Sequence, residues 1–230
     1  MTRMRGFTLI ELAVAFLVIA LLLGMMVIPL NTQIDQHRIN ETQKQANVIV
    51  EAILGFAVAN GRLPCPAAPT TANTTAGAGV ENKPPLPATA CGITEGVVPW
   101  ATLGVQETDT WGRRFTYRVT PMFADDPAGG LQASFGLADN GNINVTSGGA
   151  APVNIAANMA AIVVSHGKNG LGGYQPNGVQ LVGAAADEAE NANANMTFIS
   201  KIHEPTFDDL LVWVSPSVLK ARMVAANRIP

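Results

Sequence analysis

The feature that most constrains this chain is an almost unbroken apolar run from Phe7 to Leu30. It stands directly behind a short basic leader, Met1-Thr2-Arg3-Met4-Arg5, that ends in Gly6. A run of this length can cross a bilayer as a helix. It contains one acid, Glu11, near its start. An unpaired carboxylate at depth in a bilayer costs ~2.5–3.5 kcal/mol, so a cation partner is expected for it. Arg3 and Arg5 flank the run on its N-terminal side and Asp35 follows it. The excess of positive charge before the run places the leader in the cytoplasm and everything after Leu30 outside it. A secretory signal peptide would have a shorter apolar core and a small-x-small cleavage site behind it. This run ends in Met25-Met26-Val27-Ile28-Pro29-Leu30 without such a site, and a plain anchor would not need Glu11.

The junction Arg5-Gly6-Phe7-Thr8-Leu9-Ile10-Glu11-Leu12 resembles the leader junction of type IV pilins and type II secretion pseudopilins. The family pattern is Gly, then Phe, then Thr-Leu-Ile-Glu, and it stands here without a departure. The resemblance implies that a membrane prepilin peptidase cuts between Gly6 and Phe7 and N-methylates Phe7. It also implies that Glu11 pairs with the terminal amine of a neighbouring subunit during assembly. That pairing offsets two desolvation costs at once, because a new α-amine and a carboxylate meet at similar depth. The implied fold is α+β and pilin-like, with a long N-terminal transmembrane helix packed on an antiparallel sheet. The implied partners are other pilin-like subunits in a helical filament, the peptidase, and the bacterial inner membrane. The chain would cross that membrane once, carry a periplasmic domain, and later enter a periplasmic or surface filament.

With 230 residues and a formal net charge of −3, the chain suits one membrane helix plus one modest globular domain. No Lys/Arg block exists, which argues against a nucleic-acid partner. The expected divisions are a leader at 1–6, a transmembrane and filament-core helix at 7–30, and an amphipathic continuation at 31–60. An irregular loop at 61–98 and a β-rich domain at 99–230 follow. In the continuation, Ile49, Ala52, Ile53, Phe56 and Ala57 recur at helical spacing, an apolar stripe suited to core packing. Pro29 is expected to kink or locally melt the helix, and Gly24 and Pro29 match the helix breakers common in this part of pilins. At ~1.5 Å per residue, Phe7 to Ala59 makes a rod of roughly 80 Å. Gly61 and Pro64 end it.

Cys65 and Cys91 bracket a Pro/Ala/Thr/Gly/Asn segment without periodicity. Outside the cytoplasm they would pair, and closing a loop of this length stabilises by ~3–4 kcal/mol. Type IV pilins commonly close their disulfide near the C-terminus, so this position departs from that pattern. Further on, Phe115, Tyr117 and Val119 alternate with Arg114, Thr116 and Arg118, which reads as a half-buried strand. Asp109-Thr110-Trp111-Gly112 ahead of Tyr117 resembles the Asp-x-Trp-Gly…Tyr segment of pseudopilin domains. Strands are also expected at Leu131–Leu137, Met159–Ser165, Val179–Val182, Met196–Lys201 and Leu210–Val214. Ser215-Pro216-Ser217 reads as the start of a short C-terminal helix, Val218 to Ala226.

Ser165-His166-Gly167-Lys168-Asn169-Gly170-Leu171-Gly172-Gly173 resembles the Gly-rich loop of major pseudopilins, where a following acidic pair binds calcium. Calcium takes six to eight oxygens. The residues that would hold it here are Asn169, Asp208 and Asp209. Asn169 stands where the family has Asp, Lys168 adds a repelling charge, and the two acids arrive only after a long insertion. The favoured expectation is therefore a Gly-rich hairpin with Asp208 capping or solvated, and no cofactor, with calcium as the alternative. The loop lacks the Gly-Lys-Ser/Thr ending of a phosphate cradle. His37, His166 and His203 show no ligand spacing. No convergent acid/base set points to an enzyme. The reading is thus a structural subunit: a type II secretion-like pseudopilin, or alternatively a minor type IV pilin in priming, adhesion or DNA uptake.

Overall fold

A computed structural model describes residues 6–126, 132–184 and 186–229, except for the side chains at 23, 25–31 and 186. The chain divides into two compact units, Met1–Asn40 and Glu41–Pro230. Helix α1 runs from Leu9 to Asn60 without interruption in its backbone. The backbone is helical through Pro29, so the local melting expected there is not found. In the first unit, Phe7, Leu9, Ile10, Val14, Phe16, Leu17 and Leu22 all stand exposed around the helix. Among the described residues, no helix is long and apolar enough to cross a membrane. The expected span Phe7–Leu30 includes positions outside the description.

The second unit is α+β and layered. The elements after α1 are β1 (Glu95–Val97), α2 (Trp100–Leu103), β2 (Thr116–Val119), α3 (Pro121–Ala124), β3 (Ile143–Thr146) and β4 (Asn154–Met159). They continue with β5 (Ala161–Ser165), α4 (Ala186–Glu190), β6 (Thr197–Ile199), β7 (Leu210–Val214) and α5 (Pro216–Ala225). One sheet has the order β1-β2-β5-β7 and is antiparallel throughout. A second, β4-β3-β6, is mixed, because β3 and β6 run parallel.

One face of the first sheet packs on α1 and α5. Ala46, Ile49, Ile53 and Ala57 of α1 are buried there with Phe115, Tyr117, Val119, Val163, Leu219 and Met223. The spacing of four and three residues keeps those α1 side chains on one stripe. The other face is covered by the second sheet, where Ile162 and Val164 meet Ile143, Val145 and Phe198. This explains why Ala161-Ile-Val-Val-Ser165 is buried along its whole length. A strand covered on both faces reads as a continuous apolar run. α5 begins where Ser215 caps it, its hydroxyl accepting from the Val218 N–H at 3.3 Å, with Pro216 in the first turn.

Several strand expectations are corrected. β2 is buried on both faces, not half-buried. Arg114, just before it, has no exposed surface. Its guanidinium donates to Glu107 at 2.9 Å and to the carbonyls of Pro69, Thr71 and Pro176 at 2.9, 2.8 and 2.8 Å. It also lies 4.6 Å from the centre of the Trp100 ring. The described part of 131–137 is irregular; Ala133 donates to Arg228 and Ser134 to Gly61, and Phe135 packs on Phe123. Around 179–182 only Gln180 forms a bridge, to Tyr174.

The disulfide loop is held by charge as well as sulfur. Cys65 and Cys91 are bonded. Arg62 makes two hydrogen bonds of 2.9 Å to Glu81 and one of 2.9 Å to Asp126, which Lys83 also contacts. Glu81 in turn accepts from the Cys65 N–H at 3.0 Å.

Candidate functional site

Two places carry the sequence-predicted residues. The first is the junction. Gly6 and Phe7 precede α1, and Phe7 is 86% exposed. Thr8 is the residue before the helix, and Glu11 lies three residues on. The Glu11 carboxylate accepts from the Thr8 N–H and the Thr8 hydroxyl, both at 2.9 Å, and the Thr8 hydroxyl accepts from the Glu11 N–H at 3.3 Å. This is a capping box, in which two otherwise unpaired backbone N–H groups are satisfied reciprocally. Reading Glu11 only as an assembly residue missed this. The signal, Thr-x-x-Glu directly ahead of an apolar helix, is present in the sequence.

The second place is the Gly-rich turn after β5. Ser165 donates to Asp109 at 2.6 Å, and Asp109 also accepts from the N–H groups of Trp111 and Arg113 at 2.9 Å each. His166 shares a hydrogen bond of 2.8 Å with the Thr116 hydroxyl. Adjacent in sequence, Ser165 and His166 therefore serve different partners. His166 is fully buried, and burial pushes its pKa down to about 4, so the ring is neutral. The backbone of Gly167 has φ +59, and a Cβ there would lie 2.3 Å from the Asp208 carbonyl oxygen. Only glycine allows the turn to approach Asp208 this closely.

Glu188 of α4, Asp208 and Asp209 meet beside this turn, with carboxylate oxygens all within 4.8 Å of one another and all three residues buried. The Asn169 N–H donates to Asp208 at 2.9 Å and its side-chain amide donates to Glu188 at 2.8 Å. Asn191 donates to Asp209 at 2.8 Å and also holds both backbone groups of Ile199 in β6. One oxygen of Asp209 is buried without a hydrogen-bond donor. The Nδ1 of His166, 3.8 Å from it, is likewise unpaired. Burial, with Glu188 and Asp208 as neighbours, pushes the Asp209 carboxyl up to about 8. Asp208 is buried, not solvated, and is also pushed up by burial. Three oxygen-donor acids gathered beside this turn suit a hard divalent cation. Glu188 went unread because it lies twenty residues before Asp208, inside the insertion.

Residues 1–27 match the family model of the prokaryotic N-terminal methylation motif. No curated protein and no solved structure matches the chain. At its N-terminus the chain therefore carries the prepilin-type methylation signal of type IV pilin-like proteins.

Proposed function

We propose that this chain is a structural subunit of a type II secretion-like pseudopilus. It is inserted in the inner membrane through Phe7–Leu30, cut after Gly6, methylated on Phe7, and drawn into a filament on the far side. The match over residues 1–27 carries the pilin-like part of this reading, and the Trp111-Gly112 segment and the Gly-rich turn favour the pseudopilus. The exposed apolar side chains around the start of α1 support it, since such a surface needs a lipid or protein environment. The long helix and antiparallel sheet agree with a pilin-like fold. In the precursor, Glu11 is satisfied by Thr8. Cleavage creates an α-amine at Phe7, and in a filament a neighbour's amine reaches Glu11 and adds a charge-assisted bond to the cap. The disulfide so early in the chain favours the second reading, a minor pilin acting in priming, adhesion or DNA uptake. Against the favoured expectation of no cofactor, we propose that the Gly-rich turn takes calcium, with Asp208 and Asp209 among its ligands, because three acids gather beside it.

Co-expression with a prepilin peptidase, followed by mass spectrometry of the mature N-terminus, tests the assignment. The expected species begins with N-methylated Phe7, and Gly6→Leu leaves the precursor uncut. Any other N-terminus sinks the reading. Copurification with secretion components or with pilus subunits then separates the two roles.

A further inference from the structure

We propose that Glu188, carried to the turn by the inserted segment around α4, is the third carboxylate of a calcium site with Asp208 and Asp209, and that Asn169 positions Glu188 without binding the ion. The proposal rests on the calcium reading above and replaces one of its ligands.

Spacing is the first argument. Oxygens bound to one calcium lie ~2.3–2.6 Å from it, so two of them stand at most about 4.6–5.2 Å apart. The three carboxylates already meet that limit, within 4.8 Å. The buried, donorless oxygen of Asp209 is the second. A buried polar atom is ordinarily hydrogen-bonded or bound to metal, and the Nδ1 of His166 stands 3.8 Å away, beyond hydrogen-bond reach. Asn169 is occupied otherwise. Its N–H goes to Asp208, its amide nitrogen to Glu188, and its carbonyl oxygen accepts from the Leu171 N–H at 2.8 Å. The N–H and both side-chain amide atoms of Asn169 are thus already engaged in fixing the turn and the acid. Where the resembled loops have an aspartate, this chain has a neutral donor that orients a carboxylate brought from elsewhere. The formal charge of the site is thereby kept.

A further consequence follows from connectivity. Glu188 sits in α4, and Asn191 just beyond it ties Asp209 to β6. Calcium at these acids would fasten the inserted segment to the residues leading into β7, and Asn169 would tie the turn after β5 to both through Glu188 and Asp208.

The test uses the full processed chain in detergent, stripped with a chelator and titrated with calcium chloride. Binding is read by calorimetry, by the calcium-dependent rise in unfolding temperature, and by protease cuts mapped in 183–195. The wild type is expected to bind one ion, with fewer cuts in that segment. Glu188→Gln is expected to weaken binding at least about tenfold, as loss of a ligand or its close support does. Glu190→Gln, whose carboxylate holds Asn193 and Asn195 instead, leaves binding unchanged. If Glu188→Gln does not fold, Glu188→Asp keeps the charge, shortens the arm and is expected to weaken binding too. A wild type that binds no calcium overturns both the proposal and the calcium reading. Wild-type affinity in the folded Glu188 variant overturns the proposal alone and returns the site to Asn169, Asp208 and Asp209.

Discussion

Replacing Arg114 with leucine separates the strand pattern from the structure. A charged residue on the outer face of a half-buried strand can usually be changed within ±0.5 kcal/mol. In the structure Arg114 has no exposed surface, and all of its guanidinium nitrogens are bonded. Leucine would leave three backbone carbonyls, those of Pro69, Thr71 and Pro176, without their donor, and Glu107 without its cation. Glu107 is 22% exposed and can turn toward water, which limits its share. Removing one partner of a buried pair costs ~3–5 kcal/mol, and the contact over Trp100 adds ~0.5–2. The carbonyls lie in partly exposed loops and recover some hydration, so about 4 kcal/mol is the expected total. For a domain of this size, each kcal/mol shifts the midpoint by about 2–4 °C, so Tm should fall by roughly 10 °C. Arg114→Lys keeps the charge but loses the fork and should fall about half as far. Thermal unfolding of purified protein at pH 7 reads both. A leucine variant within about 1 kcal/mol of wild type would refute the claim that this side chain ties the 66–80 loop to the 174–177 turn.

Cys65→Ser with Cys91→Ser should destabilise the second unit by ~3–4 kcal/mol, given the sequence separation of 26, and alkylation of unreduced protein should find no free thiol. Reactive thiols in freshly isolated protein would contradict this. In chelator, Asp209 should make stability fall as pH rises, because burial lifts its carboxyl from near 3.8 to about 8 and the folded state keeps a proton that the unfolded chain releases. His166, pushed down from 6.5 to about 4, acts in the opposite sense and costs stability as pH falls from 6.5 to 4. Between about 6.5 and 8 Asp209 acts unopposed by His166, so Asp209→Asn should gain on wild type by up to about 1.4 kcal/mol per pH unit. Parallel Tm curves over that window would rule it out. Glu11→Leu should be cleaved normally yet fail to enter fibres, measured as sheared fibre yield against total processed protein. Normal incorporation would leave Glu11 as a helix cap only.

What the sequence made legible follows from the range of the interactions involved. The α1 stripe, the apolar β5 and β7, and the Ser215-Pro216 start of α5 are set by neighbours within a few residues, and periodicity reveals them. β3 was hidden because Ile143 and Val145 follow directly on Asp139-Asn140-Gly141-Asn142, which reads as a turn. β4, Asn154–Met159, shows no alternation because it lies at the sheet edge, half exposed and nowhere fully buried. The burial of Arg62 and Arg114 depends mainly on partners 19 to 64 residues away, which no local pattern encodes.

The same distinction separates the two candidate sites. The junction is local: Thr8 and Glu11 cap the helix within one turn, and the spacing Thr-x-x-Glu alone encodes that cap. The acidic turn is assembled from three distant segments. Sequence supplied Asp208 and Asp209 because they follow a Gly-rich motif, but Glu188 becomes visible only when the insertion folds back and Asn169 holds its carboxylate. An insertion that separates two halves of a motif need not abolish the site. It can deliver the missing charge, provided its own polar side chains, here those of Glu188 and Asn191, are tied to the elements on either side.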